Sequence, residues 1–194
     1  MLPNEFYERN TKTVAQELLG KKLVRVYKGK RIAGIITEVE AYLGAGDRAC
    51  HSYNFRRTKR TETLYLAGGH SYIYFIYGMY NCFNVVTQKR EVPEAVLVRA
   101  LEPVEGIDLM RKLRKTDDLK NLTTGPGKLA QALHLTKELN AYSLRSGELF
   151  LEDGIQIPKS KIVKTTRIGV DYAGDHAQWP LRFYIRDNPF ISKK

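Results

Sequence analysis

SYIYFIYGMYNCFNVVT, Ser71 to Thr87, is dense in aromatic and β-branched residues on both sides of Tyr77, Gly78 and Met79. Such residues suit a pleated, half-buried surface, and a short Gly-containing break between two runs of them marks a β-hairpin. With a three-residue loop, Tyr77 to Met79, the side chains of Tyr72, Tyr74 and Ile76 share a face with Tyr80, Cys82 and Asn84; a two-residue loop separates them. A hairpin here makes the fold strand-based, and neighbouring segments extend it. Lys21 to Tyr27 and Arg31 to Tyr42 alternate as two strands about a Lys-Gly-Lys turn, and Ala95 to Leu101 is an apolar strand interrupted by Arg99. LFLED, KIVKTTRIGV and LRFYIR, in the last third, read as strands between Gly, Pro and Asp turns. Helices are expected from Thr11 to Leu19, with a Thr cap and Gly20 as its stop, from Gly106 to Leu113, and opening at Gly127 or Lys128. The fold predicted is mixed α/β (α+β): one domain, residues 1–194, with a curved, mainly antiparallel β-sheet, surrounding helices and a protruding β-hairpin.

The 194 residues suffice for one domain with a sizeable core. Lys and Arg number 32 against 21 Asp and Glu, a net charge of +11, which suits a polyanionic partner: nucleic acid first, an anionic membrane second. No long apolar run or basic amphipathic helix favours the membrane, and MLPNEFYERN lacks the apolar core of a signal peptide. An intracellular protein is expected, in the cytoplasm or nucleoid if bacterial, with no membrane partner. The two cysteines, Cys50 and Cys82, form neither a CxxC pair nor a zinc cluster and read as small buried side chains. No metal or cofactor is expected.

TEVEAYLGAGDRACHS, Thr37 to Ser52, carries Glu38, Glu40 and Tyr42 in alternation and then a histidine, His51, in a loop. Period two sets Ile36, Glu38, Glu40 and Tyr42 on one face and Ile35, Thr37, Val39 and Ala41 on a core face. The two glutamates then belong either to a solvated strand face or to a working surface. The loop NFRRTKRTET that follows is either a solvated or partly disordered loop or a phosphate-contacting arm. TTGPGKL lacks the spacing of a nucleotide-binding loop and has Leu129 where Ser or Thr is needed, which excludes a P-loop NTPase. It remains a helix start, with or without Lys128 at a phosphate. Arg99, inside an apolar strand, requires an anionic partner: Glu102 or another carboxylate across the sheet, a bound phosphate, or Glu40.

Taken together, ELLGKKLVR, TEVEAYLGAGDRACHS, YIYFIYGMYNCFNV, VLVRALEPVEG, GPGKLAQAL, RIGV and PLRFYIR resemble, in order, the alkyladenine (3-methyladenine, methylpurine) DNA glycosylase family of the mammalian type. The resemblance implies a monofunctional, monomeric enzyme that flips a damaged purine out of double-stranded DNA and hydrolyses its N-glycosidic bond. It implies Glu40 as general base, with Arg99 and the Ile168 carbonyl holding the water. Tyr42, His51 and Tyr74 become walls of the base pocket, Asn84 lies at the purine edge, and Tyr77 is the intercalating residue. Arg56, Arg60 and Lys128 are the expected phosphate contacts. By the same likeness a backbone amide at His51 favours a purine edge that accepts a hydrogen bond, and Asn84 crowds the exocyclic amine of guanine.

The chemistry is consistent with these residue types. Alkylation at purine N3 or N7 places positive charge on the base, so it leaves readily and the protein need supply only a pocket and an activated water. A lyase would want an amine nucleophile, and no lysine lies in the motifs that supply the expected catalytic and pocket residues, TEVEAYLGAGDRACHS, YIYFIYGMYNCFNV, VLVRALEPVEG and RIGV. A non-catalytic binder with an aromatic wedge accounts for the charge and the tyrosines but not for a carboxylate beside them. A base deaminase requires H-x-E with P-C-x-x-C, which the sequence lacks.

Overall fold

The computed structural model describes residues 1–76 and 78–193, so the expected intercalating residue, Tyr77, falls outside the described residues. In chain order the strands are β1 (Lys22–Tyr27), β2 (Lys30–Tyr42), β3 (Ser71–Ile76), β4 (Tyr80–Thr87) and β5 (Glu94–Glu105). They continue with β6 (Arg145–Ser146), β7 (Leu149–Glu152), β8 (Ile162–Thr165) and β9 (Arg182–Ile185). Among the described residues all nine join one antiparallel sheet that curls into a half-barrel. Its main path is β3-β4-β5-β2-β1-β7-β6, with β9 beside β2 and β8 beyond β9. The β1–β2 turn falls at Lys28 and Gly29, whose φ values of 49° and 73° are the paired positive angles of a type I′ hairpin. In the β3–β4 hairpin Tyr72 pairs with Asn84, Tyr74 with Cys82 and Ile76 with Tyr80, the register of a three-residue loop. Tyr72, Tyr74, Cys82 and Asn84 therefore share a face.

Strict alternation along β2 fails at one place. Between Ile36 and Glu38 the pairing with β5 gains an extra residue, Thr37; one step later β5 gains Arg99. These compensating bulges reverse the alternation, so Ile36 joins Val39 and Ala41 in the core, as Leu101 joins Val98 and Val96 on β5. The expected core face of Ile35, Thr37, Val39 and Ala41 is corrected accordingly. The solvated strand face fails as well, because Glu38 and Glu40 are completely buried.

One face of the sheet is covered by helices. α1 (Asn4–Tyr7), α2 (Thr11–Leu18), α3 (Ile107–Arg114) and α4 (Pro126–Ala132) surround a core in which Val14, Leu18, Leu129 and Leu133 meet Ile36, Val39, Phe83 and Val98. The cap of α2 is Asn10, not Thr11: its side chain accepts from the amides of Lys12 and Thr13, worth about 1 kcal/mol. Gly20 ends this element at φ +85°, where a Cβ would lie 2.2 Å from the Ile155 carbonyl oxygen. α4 begins at Pro126, and Gly127 gives it close approach to the hairpin, since a Cβ there would fall 2.9 Å from the Tyr80 ring. The opposite face of the sheet, under the loops 43–66 and 166–178, is where the polar residues of the conspicuous motifs converge.

Candidate active site

Between that sheet face and its loops lies a cavity of about 420 Å³. Its wall includes Tyr42 from the end of β2, Tyr74 from β3, Asn84 from β4 and Arg99 from β5, closed by His51 and Ile168 from the two loops. Cys50 and Cys82, both buried free thiols, also line it. Six residues predicted for the site, spread from 42 to 168, are thus brought together.

Glu40 stands directly behind this wall. The Ile168 amide donates to its Oε1 at 2.7 Å, while the Tyr42 hydroxyl and Arg99 Nη1 donate to Oε2 at 2.9 and 3.2 Å. Burial and the neighbouring Glu40 charge push the Tyr42 phenol well above its ordinary value, which keeps it protonated as a donor. A carboxylate offers about four acceptor positions, so Glu40 retains room for one further donor. Glu38 does not. Its Oε1 accepts from Arg99 Nε at 3.2 Å, Arg182 Nε at 2.7 Å and the Ser192 hydroxyl at 2.8 Å, and its Oε2 from the Ser192 amide at 2.5 Å. Two carboxylates and two guanidiniums form one buried, charge-balanced chain, Glu40–Arg99–Glu38–Arg182. The partners of Arg99 are therefore the β2 glutamates; Glu102 accepts from Asn188 instead.

The opposite wall is aromatic. Tyr72 and Tyr74 have ring centroids 5.3 Å apart, and His51 meets Tyr74 edge-on at 4.6 Å. His51 Nδ1 lies 2.9 Å from the Tyr72 hydroxyl, and the Asn84 amide nitrogen donates to the Tyr72 carbonyl at 3.0 Å. The His51 backbone N–H has no acceptor among the described residues. Burial, followed by the charges of Arg60 and Arg56, lowers the His51 pKa to about 4, so the ring is neutral at pH 7. The unfolded chain protonates this histidine near pH 6.5, before the native state does. Stability contributed by the neutral ring is therefore full above about pH 6.5 and lost as pH falls toward 4, by about 1–3 kcal/mol. Melting temperatures at pH 7 and pH 5 should differ less for His51→Gln than for the parent; equal differences would remove His51 as the source.

The model of the methylpurine-DNA glycosylase family matches residues 5–189. The chain belongs to that family. It is 50% identical to a protein of Bdellovibrio bacteriovorus, with all of both chains covered. It is 48% identical to one of Bacillus cytotoxicus, covering 98% of each chain, and 49% identical to one of Bacillus cereus, covering 99% of this chain and 98% of the relative. All three carry the provisional name 3-methyladenine DNA glycosylase.

Two residues of this glycosylase that its sequence motifs contain but do not single out are Asp47 and Arg167. Both side chains are fully buried, and the Arg167 guanidinium donates to both Asp47 oxygens. Arg167 also donates to the carbonyls of Ala41 and His176, each at 3.1 Å, while Asp47 accepts from the amides of Leu43 and Ala49. The pair welds the loop bearing His51 to the segment bearing Ile168, and the guanidinium lies 4.9 Å from the Tyr42 ring. Only the co-occurrence of AGDRACHS with RIGV hinted at it; nothing in either motif says that they touch.

The basic residues separate into two groups. Arg56 is exposed, and Arg60, also exposed, holds its guanidinium 5.3 Å from the Tyr74 ring centroid at the cavity edge. Arg57, also exposed, is paired with Glu62 and Glu91 and stacked on Tyr65 at 4.3 Å, while Thr61 and Thr63 of the same loop are buried. The loop is thus not uniformly solvated. The Lys128 ammonium donates to the Asn121 side chain, and Gly127 of TGPGKL serves the packing of α4 beneath Tyr80. Among the described residues no group of three His, Cys, Asp or Glu is placed to hold a metal ion, and no helix is long and apolar enough to cross a membrane.

Proposed function

We propose that this glycosylase, acting as a monomer, removes alkylated purines of the 3-methyladenine class from double-stranded DNA by hydrolysing the N-glycosidic bond, leaving an abasic site. The observation that carries this reading is the Glu40 carboxylate: buried, held by three donors, with one acceptor position left, behind an aromatic cavity. The damaged nucleotide is flipped into the cavity, at a cost of a few kcal/mol that is smallest at a damaged pair, and Tyr77 fills the vacated stack. A cationic purine stacked among Tyr42, His51 and Tyr74 gains about 0.5–2 kcal/mol per good ring contact. Arg99 and the Ile168 carbonyl hold a water, and Glu40 takes its proton as the water oxygen bonds to C1′. The C1′–N bond breaks with its electron pair passing to the purine, which departs neutral, and the carboxylate offsets the positive charge developing on the sugar. No lysine lines the cavity among the described residues, which supports hydrolysis over a Schiff-base lyase route.

Selectivity follows from polarity. The His51 amide, which has no acceptor among the described residues, favours an acceptor on the purine edge and disfavours a donor, since a mispaired buried donor costs about 1–3 kcal/mol; Asn84 crowds an exocyclic amine. Arg56, Arg60 and Lys128 contact phosphates, Lys128 exchanging its Asn121 partner on binding. The test is incubation with methylated duplex DNA followed by heat or alkali. Strand breaks at purines are expected, with equal yield in EDTA, because a cationic leaving group requires no Lewis acid. Intact strands at high enzyme excess would overturn the reading, and loss of release in EDTA restored by a divalent ion would overturn the metal-free mechanism.

A further inference from the structure

Phe55 is out of place for a large apolar residue. It is 71% exposed, whereas Phe6, Phe83 and Phe183 are buried. Its φ is 57°, directly after Asn54 at 54°, a left-handed pair that a bulky side chain adopts only when its surroundings impose it. Those surroundings are built. The Ser52 hydroxyl donates to the Pro93 carbonyl at 2.8 Å, the Arg56 amide to Tyr53 O at 3.2 Å, and the Thr61 hydroxyl to Arg56 O at 3.1 Å. Arg57, two residues after Phe55, is held between Glu62 and Glu91. A rigid turn therefore carries an unpacked phenyl ring outward in a conformation that costs free energy, which is the pattern expected of a functional contact.

Its position identifies the partner. The loop starts from His51, in the cavity wall, and returns at Arg60, over the Tyr74 ring. Four residues span at most about 14 Å, so Phe55 lies within that distance of His51, about four base steps along a duplex. Exposed Arg56, Lys59 and Arg60 accompany it, and neither Arg56 nor Lys59 forms an ion pair among the described residues. A ring carried among unpaired cations beside the cavity suits a polyanion with stackable or unstackable bases rather than an apolar protein surface.

We propose that Phe55 is a second apolar contact with the duplex, separate from Tyr77, seated against a base step beside the damaged nucleotide, with Arg56 on the adjoining phosphate. This rests on the DNA reading above. The test uses the full chain and a duplex carrying a tetrahydrofuran abasic-site analogue, with 2-aminopurine placed one to four steps away. Phe55→Gly should bind about fivefold or more weakly, the loss expected for one base–aromatic contact, and should abolish the 2-aminopurine response at one position. Its melting temperature should be unchanged or higher, because glycine tolerates the positive φ. Phe55→Trp should retain affinity and Tyr77→Ala should change a different 2-aminopurine position. Arg56→Ala should reduce the salt dependence of binding by about one counterion, whereas Phe55→Gly leaves it unaltered. Parent-like affinity and fluorescence for Phe55→Gly would overturn the proposal, as would a large fall in its melting temperature, which would mark packing instead. Excision by the parent with unchanged Phe55→Gly binding refutes this contact alone; weakened Phe55→Gly binding by a parent that releases no base refutes the glycosylase mechanism and upholds the contact.

Discussion

Glu40→Gln should leave lesion-duplex binding within about tenfold, roughly 1.4 kcal/mol, while single-turnover base release falls by about a thousandfold or more, the combined scale of a lost general base and lost charge stabilisation. Glutamine preserves shape but not the pattern of donors around the site. If its NH₂ takes the place of Oε2 it meets the Tyr42 hydroxyl and Arg99 Nη1; if it takes the place of Oε1 it meets the Ile168 amide. Either orientation opposes donor to donor, so a modest loss of stability, about 1–3 kcal/mol, should accompany the loss of rate. Release measured well below the melting temperature separates the two effects. A near-parent rate would remove Glu40 from catalysis. Glu38 would be a poor replacement, because all of its acceptor positions are occupied by Arg99, Arg182 and Ser192.

The local features of the fold were legible because local rules govern them. The turn between β1 and β2 and the stop at Gly20 follow from residue types within a few positions of one another, as does the presence of the β3–β4 hairpin; its register stayed open between a two- and a three-residue loop until the pairing of Tyr72 with Asn84 fixed it. The bulges at Thr37 and Arg99 were not legible, since period two carries no mark of an inserted residue, and each bulge is forced by the strand opposite. The bulges decide which β2 residues enter the core, whereas the environment of the glutamates is set by groups far off in the chain: Arg99, Ile168, Arg182 and Ser192 donate to them, where alternation alone left them on an undetermined surface. The same limit applies to charge. The run NFRRTKRTET carries Arg56, Arg57, Lys59 and Arg60 against Glu62 alone, yet it is Arg57 that finds Glu62 and Glu91 while Arg60 finds an aromatic ring, and only the folded loop distinguishes them.

Asp47 and Arg167, 120 residues apart in the chain, should give the largest stability effect of any single exchange at the site. Removing one member leaves the other charge buried without a partner, which costs about 3–5 kcal/mol. At about 2–4 °C per kcal/mol for a domain of this size, Asp47→Ala should melt roughly 6–20 °C below the parent. The four additional bonds, to Ala41, His176, Leu43 and Ala49, make this a junction of main chains as well as an ion pair. Pairing Asp47→Leu with Arg167→Met removes both charges, so much of the lost stability should return. Base release should not return with it. Without the guanidinium beside Tyr42 and the junction next to Ile168, two of the three donors that orient Glu40 lose their support. A double variant that regains melting temperature but stays slow identifies the pair as a positioning device. Full recovery of both would reduce it to a structural clamp, and an Asp47→Ala protein melting within about 2 °C of the parent would show that the buried pair does not hold the loops together.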